Sequence, residues 1–213
     1  MIYIADNEEI LGVANACQKY GIKYQDGGMV FKRTGEEIEE IVQVCQKYGI
    51  KYKNGGVLFA RTAEEIEAIV EYCIENGIKY KDGGIIFFND FSHFKEVIEV
   101  AKELGIRYKD PGTLLKRTPN EIRYIASVCE REDIDYKHAS GVYFRNPNEL
   151  ELVIEVCKRL GIKYRNGGTV FRRSPDEIIK ISEICEDFGI KYKDGGTVFQ
   201  TSPELLVKQI EVC

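Results

Sequence analysis

Gly49-Ile50-Lys51-Tyr52-Lys53-Asn54-Gly55-Gly56-Val57-Leu58-Phe59-Ala60-Arg61-Thr62 is the stretch on which the fold turns, because it returns every 28 residues without insertion or deletion. Its marker, Gly-Ile-Lys-Tyr, starts at Gly21, Gly49, Gly77, Gly161 and Gly189, and in altered form at Gly105 and Asp133. A fixed period of this size signals a stacked array in which each module buries its apolar face against its neighbours. The expected organisation is one repeat domain over 1–213, with modules 21–48, 49–76, 77–104, 105–132, 133–160 and 161–188. Partial modules occupy 1–20 and 189–213.

Outward from the quoted stretch lies a helix pattern. Ile38, Ile41, Val42 and Cys45 fall at i, i+3, i+4 and i+7, one face of a helix, and Val44 and Tyr48 widen it. Asp6, Thr34, Thr62, Asp90, Thr118, Asn146, Ser174 and Ser202 occupy the N-cap position, where a side-chain oxygen accepts a bond from an orphan backbone N–H. Glu9, Glu37, Glu65, Glu121, Glu149 and Glu177 complete capping boxes, and Pro119, Pro147, Pro175 and Pro203 suit the first helical position. Gly21, Gly49, Gly77, Gly105, Gly161 and Gly189 predict a left-handed stop.

The quoted stretch itself alternates. Ile50 and Tyr52 go to one face and Lys51 and Lys53 to the other, as in a half-buried strand. Asn54-Gly55-Gly56 then turns the chain, and Val57-Leu58-Phe59 is expected to be a second short strand. The predicted fold class is therefore an α/β repeat solenoid of strand-turn-strand-helix modules, with helices stacked on one side and short strands on the other, curved toward the strands. Its alternative makes the Asp/Asn-Gly-Gly turn a tight hairpin, so that hairpin-plus-helix modules build an antiparallel or mixed sheet. The first arrangement resembles leucine-rich repeats in architecture, without their spaced leucines and asparagine. The segment from Gly161-Ile162-Lys163-Tyr164 through Gly167-Gly168 to Ser174-Pro175-Asp176-Glu177-Ile178 is similar to a strand-helix-strand piece of flavin-linked oxidases. That likeness covers one repeat length with no cofactor-binding remainder, and no flavin or other cofactor is expected.

The chain is 44% hydrophobic and 31% charged, the balance of a folded soluble protein. No apolar run reaches the roughly 18 residues of a membrane span, and no secretory leader opens it, so no membrane partner and a cytoplasmic address are expected. All seven cysteines, Cys17, Cys45, Cys73, Cys129, Cys157, Cys185 and Cys213, share one phase of the repeat. Equivalent points on stacked helices lie about 8–10 Å apart, beyond the roughly 7 Å a disulfide can bridge. Reduced core thiols are expected, with no metal, since His93 and His138 do not converge with them.

Charge divides by phase. The expected strand phases hold 20 Lys and Arg against 6 Asp and Glu; the remainder holds 10 against 29. Lys51, Lys53, Arg61, Lys79, Lys81, Arg107, Lys109, Lys163, Arg165, Arg172 and Arg173 form a ladder able to track a polyanion such as a nucleic acid. The equivalent tyrosines, Tyr24 to Tyr192, alternate with these cations and are expected in the core. Departures from the consensus cluster in modules 77–104 and 133–160 and, with Lys116 and Arg117 of the module between, supply candidate binding residues: Phe88, Phe91, His93, His138, Tyr143 and Phe144, with Ala139 and Ser140 nearby. Phe88 and Phe144 share one phase around Lys116, the composition of a protein-binding hot spot.

No nucleophile stands at a recognisable spacing from either histidine, and the Gly-Gly turns do not open a helix as a phosphate loop must. The expected function is a non-enzymatic scaffold that binds another protein through its strand side. Alternatives are a polyanion or nucleic-acid binder using the ladder, and a structural or designed self-assembling array. The chain starts within a strand phase and stops at Cys213 without polar capping variants, so end-to-end or two-fold association, or origin in a longer array, is also expected.

Overall fold

The computed structural model describes residues 7–24, 28–138 and 141–212. Eight α-helices lie among them: α1 Asn7–Tyr20, α2 Gly35–Tyr48, α3 Ala63–Glu75, α4 Phe91–Glu103, α5 Pro119–Arg131, α6 Pro147–Leu160, α7 Pro175–Asp187 and α8 Pro203–Glu211. None is long and apolar enough to cross a membrane.

The helix boundaries follow local chemistry. Thr34, Thr62, Thr118 and Ser174 each accept the N–H of a glutamate three residues on, and that glutamate's side chain answers the cap's own N–H. Asn146 instead accepts from Asn148, and the expected capping box with Glu149 is not formed. Asp90 accepts from Ser92 and His93, and Ser202 from Leu205. The expected Asp6 cap lies outside the described residues. At the far end Gly49 turns left-handed at φ 68, and Ile50 N–H reaches back to Cys45 O at 2.8 Å. This six-residue closure recurs from Ile22 to Ile190 and satisfies carbonyls that a helix end leaves open.

The strands are the main correction. Among the described residues there is no strand and no sheet, so both the α/β solenoid and its hairpin alternative are wrong, and the protein is a helical repeat. The likenesses to leucine-rich repeats and to a strand-helix-strand piece, and the expected curvature toward the strands, fall with the strands. Val57–Ala60 and its equivalents Met29–Lys32, Ile85–Phe87, Leu114–Lys116, Gly141–Phe144, Thr169–Arg172 and Thr197–Gln200 are 3-10 turns. Phe59 N–H bonds Gly56 O at 3.2 Å and Arg61 N–H bonds Leu58 O at 3.0 Å. Adjacent Leu58 and Phe59 are both buried. A strand would send them to opposite faces, whereas a turn of about 120° per residue lets both reach the core.

The Ile50–Lys53 segment stays extended without joining a ladder. Lys51 N–H donates to Lys81 O at 2.8 Å, and that is the one backbone bond this segment sends to the next module. Helices need about 8–10 Å between axes while strands need about 4.8 Å, so a stack paced by helices lets facing loops meet at a point.

The described chain divides into two compact units, Met1–Lys95 with Lys109–Leu115, and Glu96–Tyr108 with Lys116–Cys213. In the first, α1, α2 and α3 pack in series, as do the 3-10 turns beneath them; in the second, α5 through α8 do the same. Ile38, Ile41, Val42 and Cys45, read from sequence as one face, are fully buried. Outer ion pairs cross between neighbouring helices with reversible polarity: Lys47–Glu67 at 2.6 Å and Arg123–Glu103 at 2.7 Å. Being exposed, each adds about 1 kcal/mol or less, yet together they favour this helix register.

Cys17, Cys45, Cys73, Cys129, Cys157 and Cys185 are buried free thiols; Cys213 lies outside the described residues. Burial pushes Cys45, Cys73, Cys129 and Cys157 up to about 12. At pH 8 they stay protonated as well as covered. Ellman's reagent should therefore react about a hundredfold more slowly with the folded chain than with the urea-unfolded one. Comparable rates would show that the core opens freely.

Candidate polyanion interface

The interface is built on the loop after each helix. Ile22, Ile50, Ile78, Ile106, Ile134 and Ile162 are buried and anchor it. Because side chains alternate along an extended segment, anchoring Ile50 forces Lys51 outward. The point bonds between modules then align the flanking cations. In the first unit Lys23 N–H donates to Lys53 O, Lys51 to Lys81 and Lys79 to Lys109, at 2.8–3.0 Å. Six exposed lysines thus stand on one backbone-bonded row.

Two of the six are compensated. Lys51 meets Asp82 at 2.8 Å and Lys79 meets Asp110 at 3.9 Å. The hydrogen bond from Lys51 holds the Asp82 carboxyl below its ordinary range. Lys53, Lys81 and Lys109 make no ion pair with any described residue. Lys53 also lines a cleft of about 290 Å³ together with Ile50, Lys51, Tyr52 and Asn54.

In the second unit the row is mixed. Arg107 N–H donates to Lys137 O and Lys163 to Lys193 O, but Asp135 takes the middle place, donating to Arg165 O at 2.7 Å. Arg165 pairs with Asp133 at 3.3 Å. The cleft equivalent to the basic one, about 300 Å³, is lined by Glu130, Asp133 and Asp135 as well as Lys137.

Two arginines of the expected ladder, Arg61 and Arg173, and the candidate binding residue Arg117 do different work. Arg61 Nε donates to Phe87 O at 3.1 Å and its Nη2 to Asn89 O at 2.7 Å. Arg117 reaches Tyr143 O and Phe144 O at 3.0 and 2.9 Å, and Arg173 reaches Phe199 O and Gln200 O at 2.9 and 2.6 Å. Arg33 and Arg145 do likewise. Each fork closes the last carbonyls of the next module's 3-10 turn while Nη1 faces the glutamate four residues on, which completes a capping box in every case but Glu149. Their side chains are only 15–18% exposed. They are clamps, and Arg33 and Arg145 were not singled out by sequence reasoning. A partial signal existed: at Asn89 and Thr201, which replace the arginine, the glutamate is replaced too, at His93 and Leu205, although Ala5 is followed by a retained Glu9.

The candidate aromatic site is dispersed. Tyr143 is buried and donates its hydroxyl to Tyr136 O at 3.2 Å, and burial pushes its pKa up. Phe91 is half-buried against Tyr72, centroids 5.9 Å apart, with Lys95 Nζ 4.1 Å over its ring. His93 is half-buried in the first turn of α4, and exposed His138 has Nδ1 3.2 Å from Asp135 Oδ1. Phe88, in the first unit, is 62% exposed. Phe144, in the second, is 40% exposed, with Arg172 and Lys116 at 4.8 and 5.8 Å from its ring centre. Ala139 and Ser140 lie outside the described residues.

The tyrosine column is divided: Tyr24, Tyr52, Tyr80 and Tyr108 are half-buried. Tyr136, Tyr164 and Tyr192 are buried, and Tyr136 and Tyr192 donate to Glu130 and Glu186 at 2.6 and 2.5 Å. Burial and then the glutamate bond push Tyr136 up to about 12.

Compared with known protein families, curated proteins and solved structures, the chain matches none.

Proposed function

We propose that this protein is a non-catalytic recognition scaffold whose lysine row binds an extended polyanion. The observation that carries the reading is Lys53, Lys81 and Lys109: three exposed cations, unpaired among the described residues, held in line by the bonds to Lys23, Lys51 and Lys79, with an open cleft at Lys53. Like charges repeated at module spacing repel, and an anion bridging them removes that cost. A cytoplasmic setting belongs to the proposal, since six buried cysteines remain as free thiols. A second reading, a protein partner gripping an exposed aromatic, draws on Phe88.

The test is titration of labelled inorganic polyphosphate at several salt concentrations, with wild type and a Lys53→Glu/Lys81→Glu/Lys109→Glu variant. The variant should bind at least about tenfold more weakly, and its log K against log salt slope should be shallower by about 2. These side chains are exposed, so far-UV circular dichroism should not change. Equal affinity for both proteins would refute the reading.

A further inference from the structure

We infer that Phe144, flanked by Lys116 and Arg172, is a stacking contact for a base of a single-stranded nucleic acid. The inference rests on the polyanion reading and adds the class of ligand.

Phe144 ends the 3-10 turn Gly141–Phe144, a position filled elsewhere by Lys32, Ala60, Phe88, Lys116, Arg172 and Gln200. The side chain before it, Tyr143, is buried and tied to Tyr136 O, and the Phe144 carbonyl is held by Arg117 at 2.9 Å. The ring therefore stands in solvent on an immobilised backbone. A rigid exposed aromatic loses little conformational freedom when a ligand covers it.

The charges around the ring narrow the ligand. Arg172 and Lys116 come from the modules on either side and approach the ring centre to 4.8 and 5.8 Å. Neither forms an ion pair with a described residue. An apolar protein surface covering Phe144 would bury two uncompensated cations, a costly step. A base flanked by phosphates offers a flat face to the ring and anions to both cations. Arginine planes stack bases as well, so Arg172 extends the same surface. A double helix hides its base faces, and inorganic polyphosphate has none, so neither makes use of the phenyl ring.

Other exposed or cation-bearing aromatics lack the combination. Phe91 carries Lys95 but packs on Tyr72 and sits 6.4 Å from Phe94. Phe31 meets Tyr24 edge-on at 6.5 Å. Phe88 is open but has no cation over its ring among the described residues.

Fluorescence anisotropy should compare labelled oligothymidylate of about 20 nucleotides with labelled polyphosphate, for wild type, Phe144→Leu and Phe144→Tyr. Phe144→Leu is expected to weaken oligothymidylate binding about 5- to 100-fold and leave polyphosphate binding within about twofold. Phe144→Tyr should retain the wild-type affinity, because tyrosine keeps the ring. If Phe144→Leu weakens both ligands alike, or neither, the stacking role is overturned while the lysine row stands. If wild type binds neither ligand, the polyanion reading fails and this inference with it.

Discussion

Gly195→Ala is expected to destabilise the protein by about 3 kcal/mol or more, and Gly189→Ala by only about 1 kcal/mol. Both glycines are left-handed, at φ 71 and 65, so alanine carries the same backbone penalty at each. Their surroundings differ. An added Cβ at Gly189 meets nothing within 4 Å, whereas at Gly195 it runs into the carbonyl oxygen of Lys163. Backbone cannot yield there cheaply, because Lys163 N–H is bonded to Lys193 O at 2.8 Å. Making room for the methyl pulls that bond apart. The comparison of urea midpoints, followed by far-UV circular dichroism, isolates the close approach from the dihedral cost. Equal losses at the two sites would show that the loops are not pressed together as described.

Arg145→Ala is expected to cost about 2–4 kcal/mol, from the loss of charge-assisted bonds onto otherwise open carbonyls. Arg145 Nε donates to Phe171 O at 3.1 Å, Nη2 donates to Arg172 O, and Nη1 donates to Glu149 at 3.1 Å. Glu177 adds a second carboxylate at 3.8 Å. Removing the guanidinium leaves two carbonyls of the turn Thr169–Arg172 short of a donor. Arg145→Lys keeps the charge but cannot present a planar fork to several acceptors, so it should restore less than half of the loss. Glu149→Gln, which alters a more exposed partner, should cost about 0.5 kcal/mol. Calorimetric melting would decide; lysine performing as well as arginine would reduce the clamp to a generic charge effect.

These two experiments probe features that were unequally legible. The capping chemistry of α2, α3, α5 and α7 could be read residue by residue, because Thr34 and Glu37 lie three residues apart and bond within their own turn. The buried stripe was equally plain, since Ile38, Ile41, Val42 and Cys45 recur at helical spacing. Val57-Leu58-Phe59 was misread because a short apolar run does not announce its period. The lysines were visible as charges, but their sorting into a row and a set of clamps was not. Arg61 and Lys53 look alike on paper, and Phe87 and Asn89, whose carbonyls Arg61 holds, lie 26 and 28 residues downstream.

Local grammar therefore accounts for the repeat, the eight helices, their caps and the cysteine column, because each depends on groups within one or two turns of chain. The packing of one module on the next settled the rest. Helix bulk paces the stack more widely than a sheet permits, so the loops meet at single bonds and the apolar tripeptides coil into 3-10 turns. That same pacing brings arginine forks onto neighbouring carbonyls and leaves Lys53, Lys81, Lys109 and Phe144 facing water.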